Sequence, residues 1–340
     1  MIQGECVSDI EVVLPHAVLT NEQLAEELGT WTPEQIFEKT GIKQRHIAAP
    51  DEFASDLAVR AAEALFARGG AQPGEIDFVL FCTQSPDYIL PTSACLIQER
   101  LGLRRDCGAL DFNLGCSGYV YGLSLAKGLI NSGQANDILL LTADTYSKFI
   151  NPKDPSVRTL FGDAATATLV RGDERGQQRL GPFRFGTDGR GAKNLIVPAG
   201  GARLPKSEAT AAEASDGDGN VRCEDNLYMN GREIFRFAIT SVPKLVKGLL
   251  EDANLELNDI DHLVLHQGSR FMLDEVVRKL KLPAEKAPRA LENYGNTVSS
   301  TIPLVIKSLM DADSLKSGDR LMLVGFGVGY SWAGTILRWA

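Results

Sequence analysis

Short apolar runs alternate along this chain with longer stretches in which apolar positions recur every three or four residues. Ile76–Cys82 is a nearly continuous apolar run, the signature of a strand covered on both faces. PTSACLIQERL (91–101) follows with helical spacing. Ala109–Asn113 reads as another short strand and Gly118–Asn131 as a buried helix of small and apolar residues. Ile138–Thr142 reads as a strand, and Ala164–Val170 as one more after the turn FGD. The alternation then resumes. Asn230–Ala253 predicts a long helix, Leu263–His266 a strand, Arg270–Lys281 and Ser300–Ala312 helices, and Arg320–Phe326 a strand. Strands alternating with helices predict an α/β fold whose parallel sheets lie between helical layers.

The same pattern occurs twice. PGEIDFVLFCTQS (73–85) matches LNDIDHLVLHQGS (257–269) at an offset of 184, aligning Ile76 with Ile260. LGCSGYVYGLSLAKGLI (114–130) matches YGNTVSSTIPLVIKSLM (294–310) at an offset of 180, aligning Cys116 with Asn296. NDILLLTAD (136–144) likewise resembles GDRLMLVGF (318–326). A duplicated chain can pack its halves about a dyad, bringing equivalent loops together. The expected halves are residues 1–175 and 176–340, joined through the polar stretch RGDERGQQRLG at 171–181. Residues 200–225, rich in Gly, Ala, Ser, Asp and Glu without an apolar period, predict a mobile surface loop, with a flap over an active-site mouth as the sharper alternative.

Convergence of the halves would gather three reactive groups. Cys116 lies between a strand and a helix N-terminus, where free amides and the helix dipole favour thiolate; Gly115, Ser117 and Gly118 permit close approach. Set against this is a buried structural cysteine. His266 ends a strand, where ligand sites of α/β sheets lie; His16, His46 and His262 lack that placement. A loop-bonded histidine is the plainer reading of His266, and an ordinary Gly-Asn turn that of Asn296. GFGVGYSWAG (325–334) resembles a dinucleotide loop only superficially, because too few residues follow Gly329 for a βαβ unit. Its amides near Gly327–Gly329 suit an oxyanion hole better.

Bulk properties narrow the class. The chain of 340 residues, 44% hydrophobic and 23% charged, is that of a globular protein. The first 15 residues have no basic stretch followed by a long apolar one, which predicts no signal peptide. No apolar run approaches the ~20 residues a membrane span needs. Cys6, Cys82, Cys95, Cys107, Cys116 and Cys223 form no CxxC pair, so the expectation is a reducing, cytoplasmic setting and no zinc site. The net charge of −9 argues against nucleic acid; an acidic partner would need a local basic patch.

GCSG with Cys116, LHQGS with His266, YGNTVSS with Asn296, TLFGDAATATLV (159–170) and GFGVGYSWAG together resemble the β-ketoacyl-[acyl-carrier-protein] synthase III family of the thiolase superfamily. TGIKQRHIAAPDE (40–52) and LPTSACLIQERLGL (90–103) belong to the same pattern. The resemblance implies a thiolase-like, duplicated five-layer αβαβα fold with pseudo-twofold halves, and a homodimer. It implies an acyltransferase that holds an acyl group on Cys116 and condenses it with malonyl-acyl-carrier protein, carbon dioxide being lost, in fatty acid or related lipid or polyketide biosynthesis. His266 and Asn296 would hydrogen-bond the thioester oxygen, and the amides of Cys116 and Val328 would form the oxyanion hole. Phe112, Phe326, Gly327, Gly329 and Ser269 would line the pocket. Arg236, Arg278 and Lys279 would dock the acyl carrier protein, with Arg232 and Arg270 nearby. Coenzyme A or phosphopantetheine thioesters are substrates in this reading, with no resident cofactor or metal. The chain departs from the family pattern at Gln35, where a coenzyme-stacking Trp is expected (Trp31 stands four residues earlier), and at Lys39 and Pro155, where Arg is expected. Ser269 replaces a common Asn. These changes allow a longer acyl chain, a carrier-bound donor, or a specialised pathway in secondary metabolism or lipid biosynthesis. An acyltransferase of the same fold that does not decarboxylate, a silent partner subunit and, less favoured, a nicotinamide-dependent oxidoreductase are the competing readings.

Overall fold

The computed structural model describes residues 4–173 and 176–340. Glu174 and Arg175, at the expected junction between the halves, and residues 1–3 lie outside the described residues. The first sheet is formed by β1 (Gly4–Val13), β2 (Phe78–Cys82), β3 (Gly108–Phe112), β4 (Asp137–Asp144) and β5 (Ala164–Asp173), in the order β1-β5-β4-β2-β3. The second is formed by β6 (Leu180–Thr187), β7 (His262–Leu265), β8 (Arg320–Gly327) and β9 (Ser331–Arg338), in the order β7-β8-β9-β6.

Neither sheet is wholly parallel, contrary to the expectation. β2 runs parallel to β3 and β4, and β7 to β8, but β5 is antiparallel to β1 and β4, and β9 to β8 and β6. The turn after Gly327 is too short for the crossover a parallel neighbour needs, so β9 folds back as a hairpin. β1, β6 and β9 were not apparent in the apolar pattern.

The six main helices complete the layers: α1 (Ala54–Ala67), α2 (Ser93–Arg100), α3 (Gly118–Asn131), α4 (Gly231–Ala253), α5 (Arg270–Leu280) and α6 (Thr301–Asp311). α1 and α2 cover the outer face of the first sheet, α4 covers the outer face of the second with α5 packed on α4, and α3 and α6 fill the space between sheets. The result is the five-layered αβαβα arrangement. Its central layer is dense: Tyr119, Val120, Leu123, Ile302, Val305 and Ile306 are all buried between Leu80 and Leu140 of one sheet and Val264 and Leu323 of the other. Each such side chain contributes roughly 1.5–3 kcal/mol. α4 buries Ile234, Phe237, Ala238, Val242, Leu245, Val246 and Leu249, the three-to-four spacing of an amphipathic helix.

Helix ends follow their caps. Asn230 caps α4 by accepting from the Glu233 N–H, and Ser269 caps α5 by accepting from the Met272 N–H. The 200–225 stretch contains a small hairpin pairing Ala214–Ser215 with Val221–Arg222. Arg222 fastens it by donating to Asp154 at 2.9 Å, and the Val221 N–H donates to the Lys153 carbonyl. Among the described residues, no helix is long and apolar enough to cross a membrane.

Candidate active site

The turns ending β3, β7 and β8, with the turn before α6, meet at one cavity of about 470 Å³ whose wall includes Cys116, His266 and Asn296. Cys116 stands between β3 and α3 and is buried. Gly327 of β8 lies against it: a Cβ there would sit 2.7 Å from the Cys116 Sγ, so the contact excludes any side chain. Gly118 faces the Cys82 sulfur with the same consequence. The Val328 N–H and the N–H of Cys116 itself both hydrogen-bond at the sulfur. Two backbone donors are therefore directed at the sulfur.

Burial outweighs the helix terminus. It pushes the Cys116 thiol up to about 12, against the smaller lowering by the two amides, so the resting group is a neutral thiol rather than the thiolate expected from local sequence. Burial also pushes His266 down to about 3, leaving a neutral imidazole. Its Nδ1 lies 2.8 Å from the Thr301 Oγ1, and the Phe326 ring stands edge-on with centroids 5.6 Å apart. The Nε2 is left for the cavity that His266 lines.

Asn296 is held at both ends of its peptide unit: its N–H donates to the Leu160 carbonyl at 2.8 Å and its carbonyl accepts from the Gly162 N–H at 3.1 Å. Its Oδ1 accepts from the Val298 N–H at 3.0 Å, which identifies that atom as the oxygen and leaves the Nδ2 as a free donor. Behind this group lies Asp144, pushed up to about 7 by burial, whose carboxyl accepts from the Gln84 and Ser299 N–H groups and the Ser299 hydroxyl.

Of the expected pocket residues, Phe326, Gly327 and Ser269 line this cavity. Phe112 does not; its ring packs beside Gly122 in the core between the sheets. Gly329 is likewise absent from the wall, lying in the turn whose Tyr330 N–H donates to the Asp188 carbonyl. Val328 offers its amide to Cys116, while its side chain lines a neighbouring cavity of about 690 Å³ with Gln84, Tyr146 and Leu195. Leu195 is common to both, and Gly200, Gly201 and Lys206 bring the start of the 200–225 stretch to the second.

Lys39 and Arg232, already singled out in the sequence, line the first cavity together with Phe235 and Phe271, which sequence reasoning missed. Phe271 is 63% exposed and stacks on Phe235 at 5.0 Å. A large apolar residue on the outward face of α5 was the available signal. Lys39 sits over the Trp31 ring at 4.8 Å, and the Gln35 side chain is spent accepting from the Thr32 N–H in a capping box. Arg236 is exposed beside Glu233, Arg278 is paired with Glu275, and Lys279 donates to the Ile239 carbonyl. Among the described residues, no group of three His, Cys, Asp or Glu could hold a metal ion.

Two family models match, 3-oxoacyl-[acyl-carrier-protein] synthase III over residues 110–189 and its C-terminal counterpart over 250–339. The β-ketoacyl-[acyl-carrier-protein] synthase III of Chlamydia caviae is 37% identical over 325 residues, 96% of this chain and 94% of that protein. A solved 3-oxoacyl-(acyl-carrier-protein) synthase III is 54% identical with a TM-score of 0.97, covering 99% of this chain and 100% of its own. A 3-oxoacyl-(acyl-carrier protein) synthase structure from Burkholderia xenovorans LB400 is 36% identical with a TM-score of 0.90, covering 100% of this chain and 95% of that one. With a buried thiol, a neutral imidazole and an oriented carboxamide around one cavity, the chain belongs to the β-ketoacyl-[acyl-carrier-protein] synthase III family.

Proposed function

We propose that this enzyme loads an acyl group onto Cys116 and condenses it with a malonyl group borne by acyl carrier protein, releasing carbon dioxide. The observation that carries this reading is the shared cavity of Cys116, His266 and Asn296, with two amides directed at the sulfur. Because Cys116 rests as a thiol, its proton must leave as the sulfur–carbon bond forms, and the neutral His266 is the base in the same cavity wall. The thioester carbon–sulfur bond breaks, the Cys116 and Val328 amides hold the oxyanion, and the departing thiolate takes a proton from water.

The malonyl thioester then enters. Its oxygen accepts from the Asn296 Nδ2 and from the His266 Nε2, which now carries the former thiol proton. The malonyl carboxylate supplies the opposite charge that a buried imidazolium otherwise lacks. Loss of carbon dioxide moves the bonding pair into an enolate whose carbon attacks the acyl group. The Cys116 thiolate so released recovers its proton from His266, and the cycle closes.

Acyl donors are coenzyme A or phosphopantetheine thioesters, with no resident cofactor. The acidic carrier docks near Arg236, Arg278 and Lys279, the enzyme works as a homodimer in the cytoplasm, and the product feeds fatty acid or related lipid or polyketide synthesis. The test is carbon dioxide release from malonyl-carrier protein in the presence of an acyl donor: one equivalent per β-ketoacyl product is expected. Acyl transfer to another nucleophile without carbon dioxide would contradict it.

A further inference from the structure

We infer that Thr301, together with the carbonyl of Val298, keeps the neutral His266 proton on Nδ1, so that the bare Nε2 meets the Cys116 thiol as a base. The inference rests on the proposed function and concerns a positioning residue, one that reaches no substrate itself. Three atoms form a chain: the Thr301 Oγ1 is 2.8 Å from the His266 Nδ1 and donates to the Val298 carbonyl oxygen at 3.0 Å. A hydroxyl carries one hydrogen, so an oxygen whose hydrogen goes to a carbonyl can only accept from the ring nitrogen beside it. The hydroxyl hydrogen of Thr301 then goes to the Val298 carbonyl, and its oxygen accepts from the Nδ1–H. Every donor in the group is thereby satisfied. The alternative, with the proton on Nε2, draws the Thr301 hydrogen to the bare Nδ1 and takes it from the Val298 carbonyl.

Val298 is itself held unusually. Its φ of 54° lies in the left-handed region that a β-branched residue avoids, and it is fully buried. Such a conformation persists only where the surroundings enforce it. Here one strained residue serves both partners of Cys116: its N–H orients the Asn296 amide, and its carbonyl holds the Thr301 hydroxyl that faces the His266 ring.

Thr301→Val keeps the shape of the side chain and removes the hydroxyl; Thr301→Ser keeps the hydroxyl. For Thr301→Val, acylation of Cys116 at saturating donor should slow about tenfold to a hundredfold, the range expected when a base is misoriented, while the donor KM stays within about threefold. Thr301→Ser should restore the rate. The ring-nitrogen ¹⁵N spectrum of the resting enzyme, assigned by the loss of the signal in His266→Gln, should show a protonated Nδ1 and a bare Nε2. A protonated Nε2 in the resting enzyme, a wild-type acylation rate in Thr301→Val, or an equal loss in Thr301→Ser would each overturn the inference. Should the unaltered enzyme fail to acylate at all, the proposed function fails, and the nitrogen spectrum still decides the role of Thr301.

Discussion

At the scale of single residues, the chemistry depends on burial more than on the helix terminus. With the Cys116 thiol pushed up to about 12, the thiolate fraction near neutrality is on the order of 10⁻⁵. A raised thiol holds its proton, so the reactive fraction grows tenfold per pH unit while pH stays below that value. Alkylation of Cys116 by iodoacetamide, followed on its own peptide, should therefore rise without a plateau from pH 6 to pH 10. A plateau at lower pH would reveal a preformed thiolate–imidazolium pair instead. In the proposed cycle Asn296 has a different duty, donating only to the malonyl oxygen. Asn296→Ala should accumulate acyl-enzyme normally but lose decarboxylation by about a hundredfold or more, as when one such donor is removed. Equal loss in both half-reactions would contradict that division.

At the scale of elements, β2, β4, β7 and β8 were legible because they are buried on both faces and read as apolar runs, His266 directly following β7; β3, which precedes Cys116, is only partly buried. The strands β1, β6 and β9 were not, because GECVSDIEVV, LGPFRFGT and SWAGTILR interleave polar and glycine positions without a clean period. Their antiparallel pairing is decided by turn length and by partners far along the chain, which local pattern does not encode. Phe112 failed as a pocket residue for a related reason. Its strand was found, but which face Phe112 presents depends on Gly122 of α3 leaving room for the ring. Asp144, at the end of β4, provides a test of how the two halves are joined. Its folded-state value, raised from 3.8 to about 7, means that the folded protein holds the proton more tightly than the unfolded chain. The stability this brings is complete below about pH 4 and is lost as pH rises through about 7. Asp144→Asn removes the titration, so the stability gap between wild type and variant should narrow by roughly 2–3 kcal/mol from pH 5 to pH 8. Denaturant midpoints at the two pH values would measure it, and a widening gap would refute it.

At the scale of the whole molecule, duplication was the most informative signal, because it predicted that Cys116 and Asn296 occupy equivalent turns and placed His266 with them before any distance was known. The apolar wall of Phe235 and Phe271 was not legible, since the two come from separate helices and share no motif. With a net charge of −9, the enzyme needs a local cluster of cations to hold an acidic carrier. Of the cations proposed to dock the carrier, Arg236, beside Glu233 at 4.0 Å, is the freer; Arg278 is already neutralised by two short bonds to Glu275. Arg236→Glu should raise the KM for malonyl-carrier protein about tenfold in a salt-dependent way and leave a malonyl-pantetheine substrate unaffected; Arg278→Glu should do less. An equal effect on the small thioester would place Arg236 in the tunnel rather than on a docking face. The most direct test of the account as a whole is the intact mass of the protein after incubation with an acyl thioester. The account predicts one added acyl group, absent from Cys116→Ala and discharged when malonyl-carrier protein is supplied. An adduct that survives in Cys116→Ala would contradict it.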